Sequence, residues 1–200
     1  MLDAAMRRMI DPPMDRLGAL VARTGLTANA TTIASLAIGL GVIPALAAQN
    51  YALALVLVLI NRFGDGLDGA IARRLGVTDL GGYLDIVADF IFYSAVIFGF
   101  ALARPQDAAW AAFLIFSFVG TGSTFLAYAV MAAKRDIETP DRGRKSFFYL
   151  GGLTEGTETI AVFIFMVLWP QHFAITAAAF GTLCWLTTAF RVSEAIRVLR

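Results

Sequence analysis

The 200 residues contain one cysteine, Cys184, and one histidine, His172. A lone thiol rules out a disulfide framework and a thiolate metal cluster, and a lone imidazole disfavours a nitrogen-bound zinc site. A Ser-His-Asp arrangement is disfavoured too, because His172 is expected in a loop on the side opposite the acidic residues described below. Charge is scarce: Asp, Glu, Lys and Arg make up 16% of the chain, and the formal net charge is +1. Such a balance carries no electrostatic footprint for nucleic acid. No apolar leader is expected at the N-terminus, where Arg7, Arg8, Asp11 and the Pro12-Pro13 pair interrupt any hydrophobic run. Low-complexity tracts and internal repeats are missing as well.

What is abundant is apolar surface. Hydrophobic residues form 58% of the chain, with a mean hydropathy of +0.72, a composition suited to a bilayer rather than to water. Crossing roughly 30 Å of hydrocarbon takes about 20 helical residues. Six stretches are read as spans: 31–49, 52–73, 82–103, 109–133, 149–169 and 173–196. The expected fold is therefore all-α, a polytopic membrane protein of six transmembrane helices, with 1–200 as one membrane domain and 27–200 as its core. Spans 52–73 and 149–169 carry the most charge, and their inclusion rests on the site they would form. Residues 1–26 precede the core. There Leu2, Met6, Met9, Ile10, Met14, Leu17 and Val21 recur at helical spacing against Arg7, Asp11, Asp15 and Arg16. This pattern predicts amphipathic interfacial helices, broken into two at the prolines.

The distribution of Lys and Arg sets the orientation. Arg7, Arg8, Arg16 and Arg23 precede the first span; Arg73 and Arg74 close the second. Lys134, Arg135, Arg142, Arg144 and Lys145 follow the fourth, and Arg191, Arg197 and Arg200 end the sixth. Of the opposite loops, only one holds a cation, Arg104. By the positive-inside rule both termini are cytoplasmic.

Six acids fall inside the spans: Asp65, Asp68, Asp85, Asp89, Glu155 and Glu158. A carboxylate near a helix centre costs about 2.5–3.5 kcal/mol on insertion, so six mark a functional site. Asp65 and Asp68 are spaced i,i+3, and Asp85 and Asp89 i,i+4, which puts each pair on one helix face. With the turn between Arg73 and Gly81, both pairs lie about 6–12 Å from the cytoplasmic end of a helical hairpin. Four level carboxylates repel one another unless a cation neutralises them, and an oxygen-ligating divalent ion, Mg²⁺ or Mn²⁺, suits them. Gly64, Gly66, Gly69, Gly76, Gly81 and Gly82 surround the acids. At helical positions their density points to close approach by a ligand or by a packed backbone.

The run Asp65-Gly-Leu-Asp68-Gly69-Ala-Ile-Ala72-Arg73, followed by Gly81, Asp85 and Asp89, resembles the signature of the CDP-alcohol phosphatidyltransferase family, D-x-x-D-G-x-x-A-R…G-x-x-x-D-x-x-x-D. All eight specified positions agree. Seven residues separate Arg73 from Gly81 where the family has eight, and Thr27-Ala28-Asn29 stands where many members have T-P-N. The stretch 145–159 resembles that of a bacterial branch of the family, without revealing a substrate. The resemblance implies Asp65, Asp68 and Asp85 as principal metal ligands, with Asp89 beside the metal as general base. Asn29, Gly69 and Gly81 would lie against the cytidine nucleotide, and Arg73 would help neutralise the diphosphate. It further implies CDP-diacylglycerol and an alcohol as substrates, a homodimer, and a bacterial inner membrane with the active site facing the cytoplasm. The small residues Gly120, Gly122, Ser123 and Thr124 give the fourth span a face suited to a homodimer contact or to packing within one subunit.

For the acceptor, the sequence offers Arg142, Arg144 and Lys145, with Lys134 and Arg135, as phosphate ligands, although the positive-inside rule accounts for them more readily. It offers Glu155 and Glu158 as partners for hydroxyls or an amine, for which helix pairing with an arginine serves equally. Other readings stay open. The acids could serve only to pair with Arg62, Arg73 or Arg191 and hold helices together. A head-group phosphotransferase acting on diacylglycerol would use the same metal chemistry. A cation transporter would need polar residues continuing outward, yet 53–60 and 96–103 are almost wholly apolar.

Overall fold

In the computed structural model, residues 3–135 and 154–200 are described, and among them all regular structure is helical. The elements are α1 (Asp3–Ala22), α2 (Ala28–Gly39), α3 (Val42–Ala47), α4 (Tyr51–Leu75), α5 (Asp79–Ala103), α6 (Ala108–Lys134), α7 (Gly156–Leu168) and α8 (Phe173–Leu199). Short 3₁₀ turns at Pro105–Asp107 and Pro170–His172 join α5 to α6 and α7 to α8. Local chemistry sets the starts. Thr27 accepts a hydrogen bond from the Ala30 amide at the head of α2, Asn50 from Leu53 in α4, and Thr78 from Gly81 in α5. Each satisfies an amide that the first helical turn leaves without a partner.

Four stretches among the described residues are long and apolar enough to cross a bilayer: Ala28–Ala47, Asp79–Ala103, Pro105–Lys134 and Pro170–Leu199. The first is not one straight helix. It breaks between α2 and α3, where Pro44 has no amide to continue the hydrogen-bond ladder. Helix α4 has the length of a span, 25 residues, but carries Arg62, Asp65, Asp68, Arg73 and Arg74. Helix α7 is apolar and only 13 residues long; residues 149–153 of the expected fifth span lie outside the described residues.

The N-terminal segment departs from expectation. One helix, α1, runs through Pro12 and Pro13 instead of breaking there. Both prolines sit on its exposed side, so the carbonyls they leave unbonded face outward, where other donors can reach them. The opposite face holds the helix down. Met14 is buried against Gly66, and a Cβ at Gly18 would come within 2.7 Å of the Ala70 side chain, so α1 lies flush on α4.

Packing divides the bundle by polarity. Val42, Leu46, Val58, Phe92, Val96, Phe100, Leu114, Phe163, Met166 and Phe173 form an apolar core, with the Phe100 and Phe173 rings stacked at 4.6 Å. Buried polar groups gather outside that core in two places: where α2 meets α4, at Thr31, Thr32, Ser35, Asn61 and Asp68, and along α6, α7 and α8, at Ser117, Glu155, Thr159, Thr187, Thr188 and Arg191. Asn61 donates to the Ser35 carbonyl at 3.0 Å across the α2–α4 contact. The outer surface is studded with Ile33, Val56, Leu59, Phe63, Phe98, Phe116, Val119 and Ile175, an apolar exterior that fits lipid. On α6, Gly120 abuts Trp185 and Thr188 of α8, and Gly122 abuts the Phe90 ring of α5. Those small residues are used in packing within the subunit.

At Gly64 any Cβ would overlap the Ser35 hydroxyl, so the α2–α4 approach depends on glycine. Gly64→Ala is expected to destabilise the protein by about 1–3 kcal/mol, the usual cost of overpacking. Pairing it with Ser35→Ala should recover part of the loss in a detergent unfolding assay, and simple additivity of the two changes would contradict this packing.

Candidate active site

Helix α4 ends at Gly76, whose φ of 114° suits glycine, and the chain turns through Thr78 into α5. This hairpin brings the two aspartate pairs together. Asp65 interacts electrostatically with Asp68, Asp85 and Asp89 at once, and Asp68 with Asp85 and Asp89. Asn29 on α2 reaches the same place: a Cβ added at Gly81 would lie 3.2 Å from its side-chain oxygen. A Cβ added at Gly69 would lie 3.4 Å from Arg73 Nη1 and, among the described residues, within 4 Å of no other side chain. Three helices thus converge on Asn29, Asp65, Asp68, Gly69, Gly81, Asp85 and Asp89.

The carboxylates are held differently. Asp68 is buried and accepts from the Thr32 hydroxyl at 2.5 Å. Asp89 is fixed through both oxygens: Oδ1 takes Arg62 Nη1 at 2.8 Å and Oδ2 takes the Tyr93 hydroxyl at 3.2 Å. The same Arg62 nitrogen lies 3.6 Å from Asp65. Asp85 is exposed. Sequence reasoning named Arg62 only as a helix-pairing cation. Its position one turn before Asp65, inside an otherwise apolar segment, was the available signal of a closer tie to the acids.

Other expected residues fall elsewhere. Arg73 turns away from the aspartates toward α1, with Nη2 and Nε at 2.7 and 2.9 Å from Asp15 Oδ1 and Nη2 at 3.7 Å from Asp11. Arg191 is buried in α8, donates to the Thr121 carbonyl at 3.0 Å, and lines a cleft of about 530 Å³ with Thr124, Tyr128 and Met131. Glu155 and Glu158 form a reciprocal capping box at the start of α7, the Glu155 amide donating to Glu158 at 3.2 Å. Arg142, Arg144 and Lys145 lie outside the described residues.

The donor set suits a hard divalent cation: oxygen ligands only, mutually repelling, with the Arg62 guanidinium meeting part of the charge of Asp65 and Asp89. As placed, no three His, Cys, Asp or Glu side chains among the described residues converge tightly enough to hold one ion. In this arrangement Asp89 and Asp65 pair with Arg62, and Asp68 with Thr32.

Residues 25–192 match the family described as CDP-alcohol phosphatidyltransferase, and the chain belongs to that family. It is 50% identical over 193 residues to the inner membrane protein YnjF of Escherichia coli (strain K12), covering 96% of this chain and 94% of that protein. It is 36% identical over 98 residues to an archaetidylinositol phosphate synthase of Pyrococcus horikoshii, covering 48% of this chain and 52% of that protein. The fold is shared with Mycobacterium tuberculosis phosphatidylinositol phosphate synthase. Its structure with CDP-DAG bound superposes with a TM-score of 0.72 at 18% identity, over 90% of this chain and 92% of that one. The same enzyme in complex with manganese and citrate gives 0.70 at 20% identity, over 90% and 87%.

The capping box makes a separable prediction. Glu158→Gln keeps an acceptor for the Glu155 amide and should leave the unfolding midpoint unchanged, whereas Glu158→Ala should cost about 1 kcal/mol. Equal losses in the two variants would show that the charge, and not the cap, is what matters there.

Proposed function

We propose that this chain is a six-span inner-membrane enzyme of phospholipid biosynthesis. It transfers the phosphatidyl group of CDP-diacylglycerol to the hydroxyl of an alcohol and releases CMP. The observation that carries the reading is the facing of Asp65 and Asp68 on α4 against Asp85 and Asp89 on α5, with Asn29 set against Gly81. Family membership and a relative that is an inner membrane protein support it. In this reading α4 and α7 complete six spans, α1 lies along the cytoplasmic interface, and both termini and the aspartates face the cytoplasm. Among the charges of α4, Arg62 is sheltered by its pairing with Asp89 of α5 and Asp68 by Thr32 of α2, whereas Arg73 and Arg74 stay exposed at the helix end.

Asp65, Asp68 and Asp85 would hold the cation, with Asp89 beside it. Bound Mg²⁺ or Mn²⁺ would neutralise charge on the diphosphate and on departing CMP. Gly69 and Gly81 leave backbone accessible to the nucleotide, with Asn29 alongside. Asp89 takes the proton as the acceptor oxygen bonds to phosphorus and the bond to CMP breaks. No covalent enzyme intermediate is needed. Arg73 meets the diphosphate by exchanging its surface pairing with Asp15 for the substrate's charge.

A phosphate-bearing polyol is the favoured acceptor class, since an archaetidylinositol phosphate synthase shares 36% identity over part of the chain. By charge, Arg142, Arg144, Lys145 and Arg191 suit a phosphate, and Glu155 and Glu158 stand at the start of α7. The homodimer rests on family resemblance, because Gly120 and Gly122 are used inside the subunit.

The test uses purified protein, labelled CDP-diacylglycerol and a panel of glycerol 3-phosphate, inositol phosphate, serine and phosphatidylglycerol, with CMP release as the readout. Asp89→Asn should bind the nucleotide lipid normally and turn over at least about 10²-fold more slowly, the usual scale of general-base loss. Asp68→Asn should weaken metal and nucleotide binding together, and excess EDTA should abolish turnover. Full turnover in EDTA, or normal turnover by Asp89→Asn, would refute this assignment.

Orientation is checked separately by introducing cysteine at Val77 and at Gln106, both in turns between helices. A reagent confined to the outer side should label position 106 and spare 77; the reverse pattern would invert the topology.

A further inference from the structure

The geometry points to Arg62 as a resident counter-cation of the aspartate cluster, a positioning residue that competes with the divalent metal for Asp65 and Asp89. This rests on the metal-dependent reading above and adds to it a residue outside the signature motif.

Arg62 is built in rather than resting on a surface. Its side chain is 15% exposed. The guanidinium carbon lies 4.9 Å from the Phe92 ring centroid and 5.4 Å from that of Tyr93. Nε and Nη2 both donate to Asn61 Oδ1, at 3.0 and 2.5 Å, and Asn61 is itself tied to the Ser35 carbonyl. The remaining nitrogen, Nη1, is aimed between the carboxylates, at 2.8 Å from Asp89 and 3.6 Å from Asp65. A fork fixed on one side by Asn61 and flanked by two rings has little freedom to leave.

The charges then constrain one another. Among the described residues Arg62 is the cation paired with Asp65 and Asp89, in surroundings where an unmet carboxylate is costly. When a divalent ion joins the same carboxylates, two cations share them, and their repulsion is weakly screened at this depth. Arg62 therefore lowers the affinity of the metal-free cluster for metal. The diphosphate of the substrate brings back negative charge, so strong metal occupancy is coupled to substrate.

The experiment measures Mn²⁺ binding to full-length protein in mild detergent, without substrate, by titration calorimetry and by the rise in unfolding midpoint. Arg62→Gln removes the competing charge and should bind Mn²⁺ at least about tenfold more tightly than wild type, with a larger thermal shift. Arg62→Lys keeps the charge while losing the fork, and should stay within about threefold of wild type. A merely structural arginine would lower the unfolding midpoint in both variants without tightening metal binding in either. Equal affinity of wild type and Arg62→Gln overturns the proposal, as does Arg62→Lys binding as tightly as Arg62→Gln. Recovery of folded Arg62→Gln only when Mn²⁺ is present supports it, because the metal replaces the missing charge; loss of the variant even then overturns it. If wild type and Arg62→Gln both bind no Mn²⁺, the metal reading itself fails and takes this proposal with it.

Discussion

Four carboxylates at one depth of a helical hairpin repel one another, and much of this fold follows from how that repulsion is met. Thr32 reaches from α2 to Asp68, and Arg62 reaches from α4 to Asp89 on α5. Each contact demands a fixed register between helices. The α2–α4 register is secured by the fit of Ser35 against Gly64 and by the Asn61 bond to the Ser35 carbonyl. Asn61 also anchors Arg62, so the packing that sets the register and the pairing that quiets the charge share one side chain. Removing either would leave buried charge unmet, which costs more than an intact pair contributes.

The same division of polarity weighs on function. Immediately beyond Asp89, Phe92 is fully buried, and past it Val96, Phe100, Val58, Leu46 and Phe173 close the interior with aromatic and branched side chains. An ion pathway needs polar groups or water along its length. Here, among the described residues, the interior beyond the acids is closed by apolar side chains. That shape suits chemistry on a lipid whose head group stays at the surface, and it speaks against transport.

The hairpin and its acid pairs were legible in the sequence because a helix repeats every 3.6 residues, so spacing alone places Asp65 with Asp68 and Asp85 with Asp89. Their partners were not. Whether Arg62 meets Asp89 depends on the rotation of α5 against α4, which packing decides. Glu155 and Glu158 stood three residues apart, a spacing that serves a helix face and a capping box alike; only the end of α7 shows the box. The prolines of α1 were read as a break, yet the tertiary fit of Met14 and Gly18 on α4 outweighs the two hydrogen bonds they remove. In the first span the break at Pro44 was hidden by continuous hydrophobicity.

Two arginines flank the aspartates, and their surroundings give them opposite characters. Arg73 meets Asp15 with side-chain exposures of 41% and 50%, whereas Arg62 meets Asp89 at 15% and 31%. A pair open to solvent contributes about 0–1 kcal/mol and is screened by salt, so Arg73 exchanges partners at little cost. In the proposed reaction an entering diphosphate, with more charge and more acceptor oxygens than a lone carboxylate, would outcompete Asp15 for it. The link between α1 and α4 is then not lost, because Met14 against Gly66 and Gly18 against Ala70 hold the helices together without it. Arg62 has no such exchange open to it: ring faces and Asn61 confine it beside the carboxylates. The hairpin thus carries one arginine whose ion pair is open to exchange and one that stays with the acids, and burial decides which is which.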